Sequence, residues 1–581
     1  MPDKFFSKNV LIAMVLAMGI MIIWDYVIKK ETPNAPQITN TKNESTATNN
    51  ADIAQAPENL ELDRNKAFHK NTRVTLNNKD IEGSISLKGG RIDDISLIHY
   101  KEDLSKNSPD VRIFDLKNTA NAYYFQSGWI AVSNALILPD SNTIWHANKK
   151  HLDTSEPLVL SWVNPQGIIF KKIISIDDSF MISVKDVIKN PTSKEYSVHP
   201  YGYILRYNDP KVQDLFISHE GFVGNLDSTL ERVNYGDVLD KPYDYETKGG
   251  YAGFTDKYWL SAIILDKTET VKASFLSFKD SKNINNYQTK YTGNSLNIGA
   301  NSEITSHVYV FVGPKAYNVI HNFDAKYKIG KFDDTIDFGW FFFFTKPMIK
   351  FLLWIYHLVG NFGIAMLIFT IVIRAIILPI AYKSYVSMAK MKELQPKMKA
   401  LKAMYKDDLQ KYNKELMALY KKEHVNPLSG CLPILLQIPI FFSIYKVIFV
   451  SIELRHAPFF GWVKDMSAAD PTNIFELFGL LPWDAPHFLH IGLWPILMGV
   501  SMYFQQQLSA TNSLDPLQQK IMNLMPVVLV FVLSAFPVGL VIYWTWSNIL
   551  SIIQQLIINK RVHNEFGLRK KKPKILKKKT G

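Results

Sequence analysis

The sequence predicts a polytopic α-helical membrane protein of six spans, both termini inside, with a large all-β domain between the first span and the rest. Three observations predict it. Apolar residues gather in 9–28 and again after 337, although mean hydropathy over the 581 residues is only −0.04. Residues 61–335 instead alternate apolar and polar positions in short runs. Basic residues are segregated: Lys383–Lys422 holds eleven lysines, whereas 451–487 holds only Arg455 and Lys464.

The elements follow in chain order. Lys4 and Lys8 precede NVLIAMVLAMGIMIIWDYVI, residues 9–28. About 20 apolar residues span a bilayer core. A cleaved signal peptide has a shorter apolar core and a small-residue cleavage site. The length here, with Trp24 and Tyr26 suited to an interfacial belt, predicts a retained anchor over 1–28. Residues 29–60 are rich in Asn, Thr, Ala and Pro without an aromatic residue, which predicts a flexible linker.

In the β domain, 61–335, apolar residues recur at alternate positions on both sides of Gly89-Gly90 within Ile81–Tyr100, a hairpin signal. FMISVKDVIKN (Phe180–Asn190) and SHVYVFVGP (Ser306–Pro314) repeat the style. The size suits one large sandwich or two packed sheets. No HExxH, Walker loop or GxSxG occurs, and the His and carboxylates are not at metal-ligand spacing. The chain is expected to be no enzyme and to hold no metal or cofactor. A lone Cys431 excludes an intrachain disulfide.

Residues 336–360 are aromatic, but Lys346, Lys350 and His357 interrupt them, so an amphipathic helix in the membrane interface is expected. A second span covers 361–382 and a cytoplasmic helical hairpin 383–427. Transmembrane helices 3–6 fill 428–558 (about Cys431–Val450, Phe488–Gln506, Ile521–Ala535 and Val538–Ile558). Phe536-Pro537 is read as the turn of a hairpin rather than part of one helix far longer than the bilayer is thick. The tail 559–581 carries eight basic residues in Arg569–Lys579. With the lysine-rich segments inside, the β domain lies outside the membrane, and much of the formal net charge of +13 lies on the cytoplasmic side.

The hairpin carries two narrow apolar stripes, one through Met388, Met391, Leu394, Met398 and Leu401, the other through Leu409, Tyr412, Leu416 and Leu419. Two readings stay open: a solvated hairpin that obeys charge bias, or an adaptable contact surface in which Met388, Met391, Met398 and Tyr412 meet clients or partners.

Arg374 stands inside TIVIRAIILPI. An arginine well inside a span costs about 2.5–3.5 kcal/mol on insertion scales. Snorkelling would have to cover much of the roughly 13 Å to Lys383. The alternative is a wet cavity. Thr370 shares its helix face, Gln437 interrupts CLPILLQIPIFF, Gln505–Gln507 cluster, and Tyr543, Ser547 and Asn548 lie along the last span. No acidic residue occurs in the five C-terminal spans to pair with Arg374. Each polar residue also has a reading as helix–helix glue.

GNFGIAMLIFTIVIRAIILPIAYKSYVSMAKMKELQPKM, VNPLSGCLPILLQIPIFFSIYKVI and DPLQQKIMNLMPVVLVFVLSAFPVGLVIYWTWSNILSIIQQ, in the order anchor, β domain, five spans, closely resemble the YidC/Oxa family of membrane-protein insertases. The likeness is to the Gram-negative type with a large periplasmic domain. It is nearly continuous over 337–566 and looser in the β domain, at GGRIDDISL and YAGFTDKYWLSAII. It implies a super-sandwich, a place in the inner membrane, and a hydrophilic groove open to cytoplasm and lipid but closed outside. Arg374 matches the family's groove arginine, which holds water and attracts a client's polar segment. Thr370 and Gln437 match polar groove positions. Tyr543 and Trp544 lie where the family has aromatic client contacts, with Trp544 standing where tyrosine is frequent. The implied partners are nascent membrane-protein clients, the Sec translocon with accessory subunits, the ribosome and lipid, with no small-molecule substrate. The tail through Arg569, Lys570, Lys571 and Lys572 suits ribosomal RNA or anionic lipid alike.

Two other classes compete. A transporter or channel predicts internal repeats, broken helices and usually acidic coupling groups. A tethered periplasmic enzyme or sugar-binding protein predicts activity in 61–335 alone.

Overall fold

The computed structural model describes residues 63–133, 136–210, 218–405, 408–423, 432–479, 481, 486, 490–508 and 516–565. The expected anchor and linker, and Arg569, Lys570, Lys571 and Lys572 of the tail, lie outside them. The described chain divides into two compact units. One runs up to Trp340 and includes Phe449–Glu453; the other comprises Phe341–Ile448 and the residues from Leu454 onward.

The first unit is a sandwich of an eleven-stranded and a nine-stranded sheet, counted over the described residues. Ile169–Ile176 buries every second side chain, the mark of a strand with one face on a core. Met181–Asn190 pairs antiparallel with that strand and with Ser302–Pro314, at the centre of the smaller sheet. In the larger sheet Tyr196–Tyr207 pairs with Tyr123–Ala131 and Asn285–Thr292. The hairpin around Gly89-Gly90 forms, with Ser86 opposite Arg91. Both glycines have positive φ (77° and 61°), which a side chain rarely adopts. Phe222 of the smaller sheet meets Phe275 and Tyr287 of the larger one at ring separations of 5.1 and 6.3 Å, and Phe254 beside it meets Tyr123 of the larger sheet at 6.0 Å. These contacts bury large apolar area between the sheets.

Strand alternation also carries Asp186 into this core, where Lys172 meets it. Lys172 Nζ lies 2.5 Å from Asp186 Oδ1 and 2.7 Å from the Ser127 hydroxyl, which in turn donates to Asp186 Oδ2 at 2.5 Å. The pair is almost wholly buried (side chains 2% and 7% exposed), and these hydrogen bonds offset its desolvation. Burial elsewhere in the domain acts on bases directly. It pushes His219 down to about 4 and Lys315 down to about 8. Among the described residues this unit holds two α-helices, α1 (Arg64–His69) and α2 (Tyr317–Tyr327).

The second unit is helical: α3 (Phe342–Val359), α4 (Phe362–Met404), α5 (Leu409–Lys422), α6 (Leu432–Val450), α7 (Leu493–Leu508), α8 (Pro516–Leu533) and α9 (Val538–Glu565). Gly360 ends α3 in the left-handed conformation, and the Asn361 side chain accepts from Ile364 N–H to start α4. Among the described residues, Phe342–Val359, Phe362–Met388 and Val538–Arg561 are long and apolar enough to cross a membrane. Gln437–Val450 and Met522–Leu533 are shorter apolar helices. α8 and α9 are separate helices that break over Ser534–Pro537, because Pro537 cannot continue α8. α4 runs unbroken for 43 residues across the boundary expected at 382/383. The change there is from apolar to charged side chains, which alters the medium a helix prefers and not its backbone geometry.

Candidate functional site

The site is a polar seam along one face of α9. Tyr543, Ser547, Ser551 and Gln555 recur every fourth residue, so their side chains stack on one stripe. The Arg374 guanidinium, on α4, donates to the Ser547 hydroxyl. The Gln437 amide, on α6, donates to the Tyr543 hydroxyl at 3.1 Å. Ser551 donates to the Ser547 carbonyl at 2.8 Å. Beside this stripe the Asn548 amide donates to the Ser501 hydroxyl of α7 at 3.0 Å, and Gln555 donates to the Leu508 carbonyl at 3.0 Å. Among the described residues no carboxylate forms an ion pair with Arg374. Among the described residues the seam therefore holds a cation whose hydrogen-bond partner is a neutral hydroxyl.

The structure brings together four residues singled out from sequence: Arg374, Gln437, Tyr543 and Ser547. Two others sit differently. Thr370 is buried, and its hydroxyl donates to the Met366 carbonyl of its own helix at 2.7 Å rather than to the seam. Trp544 packs on Phe441 at 4.6 Å, in an apolar cluster with Met498, Leu533 and Val541. It lies one residue, about 100°, round the helix from Tyr543. Ser501, Ser551 and Gln555 escaped the sequence reading. For two of them the signal was available in the four-residue spacing from Tyr543.

The hairpin stripe is largely occupied by its own fold. Met388 packs against Ala381, Tyr385 and Ile558. Leu394 is buried, and the Tyr420 hydroxyl donates to Met398 Sδ at 3.8 Å. Met391 and Tyr412 are half-buried. The strongly exposed methionines are Met404 (72%) and Met417 (63%), which lie outside the stripe.

At the end of the helices opposite the hairpin, the loop from Leu454 ties three helix N-termini together. The Asn361 amide before α4 donates to the Pro458 carbonyl at 3.4 Å. Val538 and Gly539 of α9 donate to the Ala468 and Met466 carbonyls at 2.7 and 3.0 Å. Asp470, buried, accepts from Trp494 N–H in the first turn of α7 at 2.8 Å, and from the Trp462 indole at 3.1 Å. A carboxylate at a helix N-terminus satisfies donors the helix itself cannot. The approach is close: a Cβ on Gly363 would stand 1.9 Å from the Phe459 ring.

A helical membrane unit, a polar seam with one cation, and a separate β sandwich define a class that the comparisons sharpen. Family models for a 60Kd inner membrane protein and for a YidC periplasmic domain match residues 354–565 and 73–351. A membrane protein insertase YidC of Methylobacterium radiotolerans is 43% identical over 86% of this chain and 82% of its own length. One of Rickettsia rickettsii (strain Sheila Smith) is 42% identical over 95% of this chain and 99% of its own. A crystal structure of an active YidC insertase is similar over 86% of this chain and 94% of that one, at 18% identity and a TM-score of 0.35. The chain belongs to the YidC family of membrane protein insertases. It is an inner-membrane protein, and its β domain is periplasmic.

Proposed function

We propose that the Arg374–Ser547 and Gln437–Tyr543 contacts mark a hydrophilic groove through which client helices enter the lipid. The observation that carries this reading is a guanidinium held by a hydroxyl, without a carboxylate partner among the described residues. A permanent cation so placed suits water and a passing acidic segment better than a fixed structural pair. A polar client segment crossing about 30 Å of hydrocarbon loses hydration at every unpaired group. A wet groove shortens that dry path. Burial of the client's apolar helix then drives the process at about 25 cal/mol per Å². The membrane potential adds up to ~2.3 kcal/mol per charge per 100 mV for an acidic tail moving outward. No nucleotide is needed.

In this reading the chain has six spans with both termini cytoplasmic, and Lys383–Lys422 faces the cytoplasm. The division of the chain is the one expected above, with 336–360 as an interfacial helix. Lys346 and Lys350 support an interfacial α3 despite its length, since α3 also exposes Phe342, Phe343 and Trp354. Thr370 and Trp544 flank the groove. The hairpin contacts clients or the Sec translocon. The exposed Met404 and Met417 join Met388, Met391, Met398 and Tyr412 as adaptable contacts. The tail from Arg569 binds ribosomal RNA or anionic lipid. Loss of ribosome co-sedimentation with retained liposome binding, on deleting Arg569–Lys579, selects RNA.

The central test is reconstitution into proteoliposomes with a single-span client bearing an acidic N-terminal tail, scored by protease protection of the tail. Protection by the wild type, lost with Arg374→Ala, supports the groove. Equal protection by both makes Arg374 a snorkelling residue. Protection by neither rejects autonomous insertion.

A further inference from the structure

The loop that begins at Leu454 does more than cap helices. Four of its large apolar side chains point outward: Phe460 (57% exposed), Trp462, Leu477 (51%) and Leu481. Among the described residues its acidic side chains are engaged within the unit, Asp470 with Trp462 and Trp494, Asp465 with Ser467 and Glu476 with Asn473. The Trp462 indole N–H is satisfied by Asp470, so the ring's outer edge carries no unmet donor. Leu477 has φ of 46°, a left-handed conformation that a branched apolar residue rarely takes. The surrounding bonds hold it there. The Asn473 amide donates to the Glu476 carboxylate at 2.7 Å, Ile474 N–H to the Ile491 carbonyl at 3.1 Å, and Leu481 N–H to the Glu476 carbonyl at 3.1 Å. These bonds keep a strained turn with its leucine turned outward.

We propose that this loop is a second membrane-seated element, with Phe460, Trp462, Leu477 and Leu481 buried in the upper acyl region of the outer-leaflet phospholipid. Lipid is the occupant because the patch continues the apolar face of α7. Trp462 lies against Trp494 at 6.3 Å, and along α7 follow the exposed Leu497, Val500 and Phe504. Tryptophan with its polar edge satisfied suits that depth. Lys464, exposed beside Trp462, stands at the height of the phosphates. With the N-termini of α4, α7 and α9 tied to the same loop, its seating fixes the depth of the groove's closed end. The leaflet assignment rests on the orientation proposed above; the contact with lipid does not.

The test is nitroxide accessibility in phospholipid nanodiscs, in a Cys431→Ser background that retains client insertion. Labels are placed by Phe460→Cys, Leu477→Cys and Leu481→Cys, with Val500→Cys as the lipid-facing reference and Asp408→Cys as the aqueous one. The expected result is oxygen-to-nickel collision ratios shifted to those of Val500→Cys. Ratios like those of Asp408→Cys overturn the proposal. So does shielding from both reagents, which means a protein surface covers the loop, a second copy if spin–spin broadening accompanies it. Three labelled positions guard against one misfolded variant. Orientation is read separately, from whether an impermeant thiol reagent reaches Asp408→Cys only in inverted vesicles.

Discussion

Replacing Arg374 should impair insertion in proportion to the acidity of the client, and the structure sets the scale. The guanidinium meets a hydroxyl rather than a carboxylate, so a client carboxylate arriving at about 4 Å finds an uncompensated charge. That attraction is worth about 1 kcal/mol in bulk water and about 4 kcal/mol at the effective dielectric of a protein surface. A polar seam between helices lies between those limits. With tenfold per 1.4 kcal/mol, one tail carboxylate is worth between about 5-fold and several hundred-fold. Loss of the bond to Ser547 adds little, because a free serine hydroxyl on a helix returns to a carbonyl one turn back. The assay is the initial rate of protease protection in proteoliposomes, for clients whose tails carry none, one or two carboxylates. Arg374→Ala should leave the neutral tail within about twofold and slow the acidic tails progressively. Arg374→Lys should retain most of the rate, since charge and hydration rather than a two-pronged geometry are at work. Equal loss for neutral and acidic tails would refute the reasoning, because it would make Arg374 a structural residue.

Other predictions concern the scaffold. Asp186→Ala should destabilise the β sandwich by about 3–5 kcal/mol by stranding Lys172, whereas Lys172→Met with Asp186→Leu should lose far less. Amide exchange of peptides spanning Ile169–Asn190 in the intact protein reads both. His219, at about 4 in the fold against 6.5 unfolded, contributes stability above pH 6.5 that is lost as pH falls toward 4. The loss is on the order of 3 kcal/mol, seen as faster exchange around Phe222, and His219→Gln should flatten it. Asp470→Ala should cost ~1.5 kcal/mol or more and speed exchange across 454–475, with Asp470→Asn intermediate because it keeps one acceptor. If neither variant alters exchange there, Asp470 does not hold the loop.

Much of this architecture is legible because each medium imposes its own period. Two-residue alternation marks Ile81–Tyr100 and Phe180–Asn190 as strands, and a lone arginine in an apolar run marks the seam. What stayed hidden depends on partners distant in sequence. Lys172 and Asp186 each read as an ordinary surface charge until the register of their strands places them together. Thr370 shares a helix face with Arg374, yet sequence spacing cannot say that its hydroxyl prefers the Met366 carbonyl. The methionine stripe was visible, but which methionines stay exposed is decided by where Tyr420 and Ile558 come to lie. Asp470 gave no local sign at all, since it caps a helix that starts 23 residues later.

The continuity of α4 has a mechanical meaning. Ala381 and Tyr385 pack on Ile558 of α9 between two internal prolines, Pro379 and Pro396, each of which removes a hydrogen bond from α4. From Tyr385 the helix extends about 28 Å to Met404 and about 16 Å back to Arg374. Bending of a helix concentrates at prolines, so a sideways load on the Met404 end is taken up at Pro396 before it reaches Arg374. The lysine-rich half of α4 can therefore bend while the Arg374 half keeps its contact with Ser547.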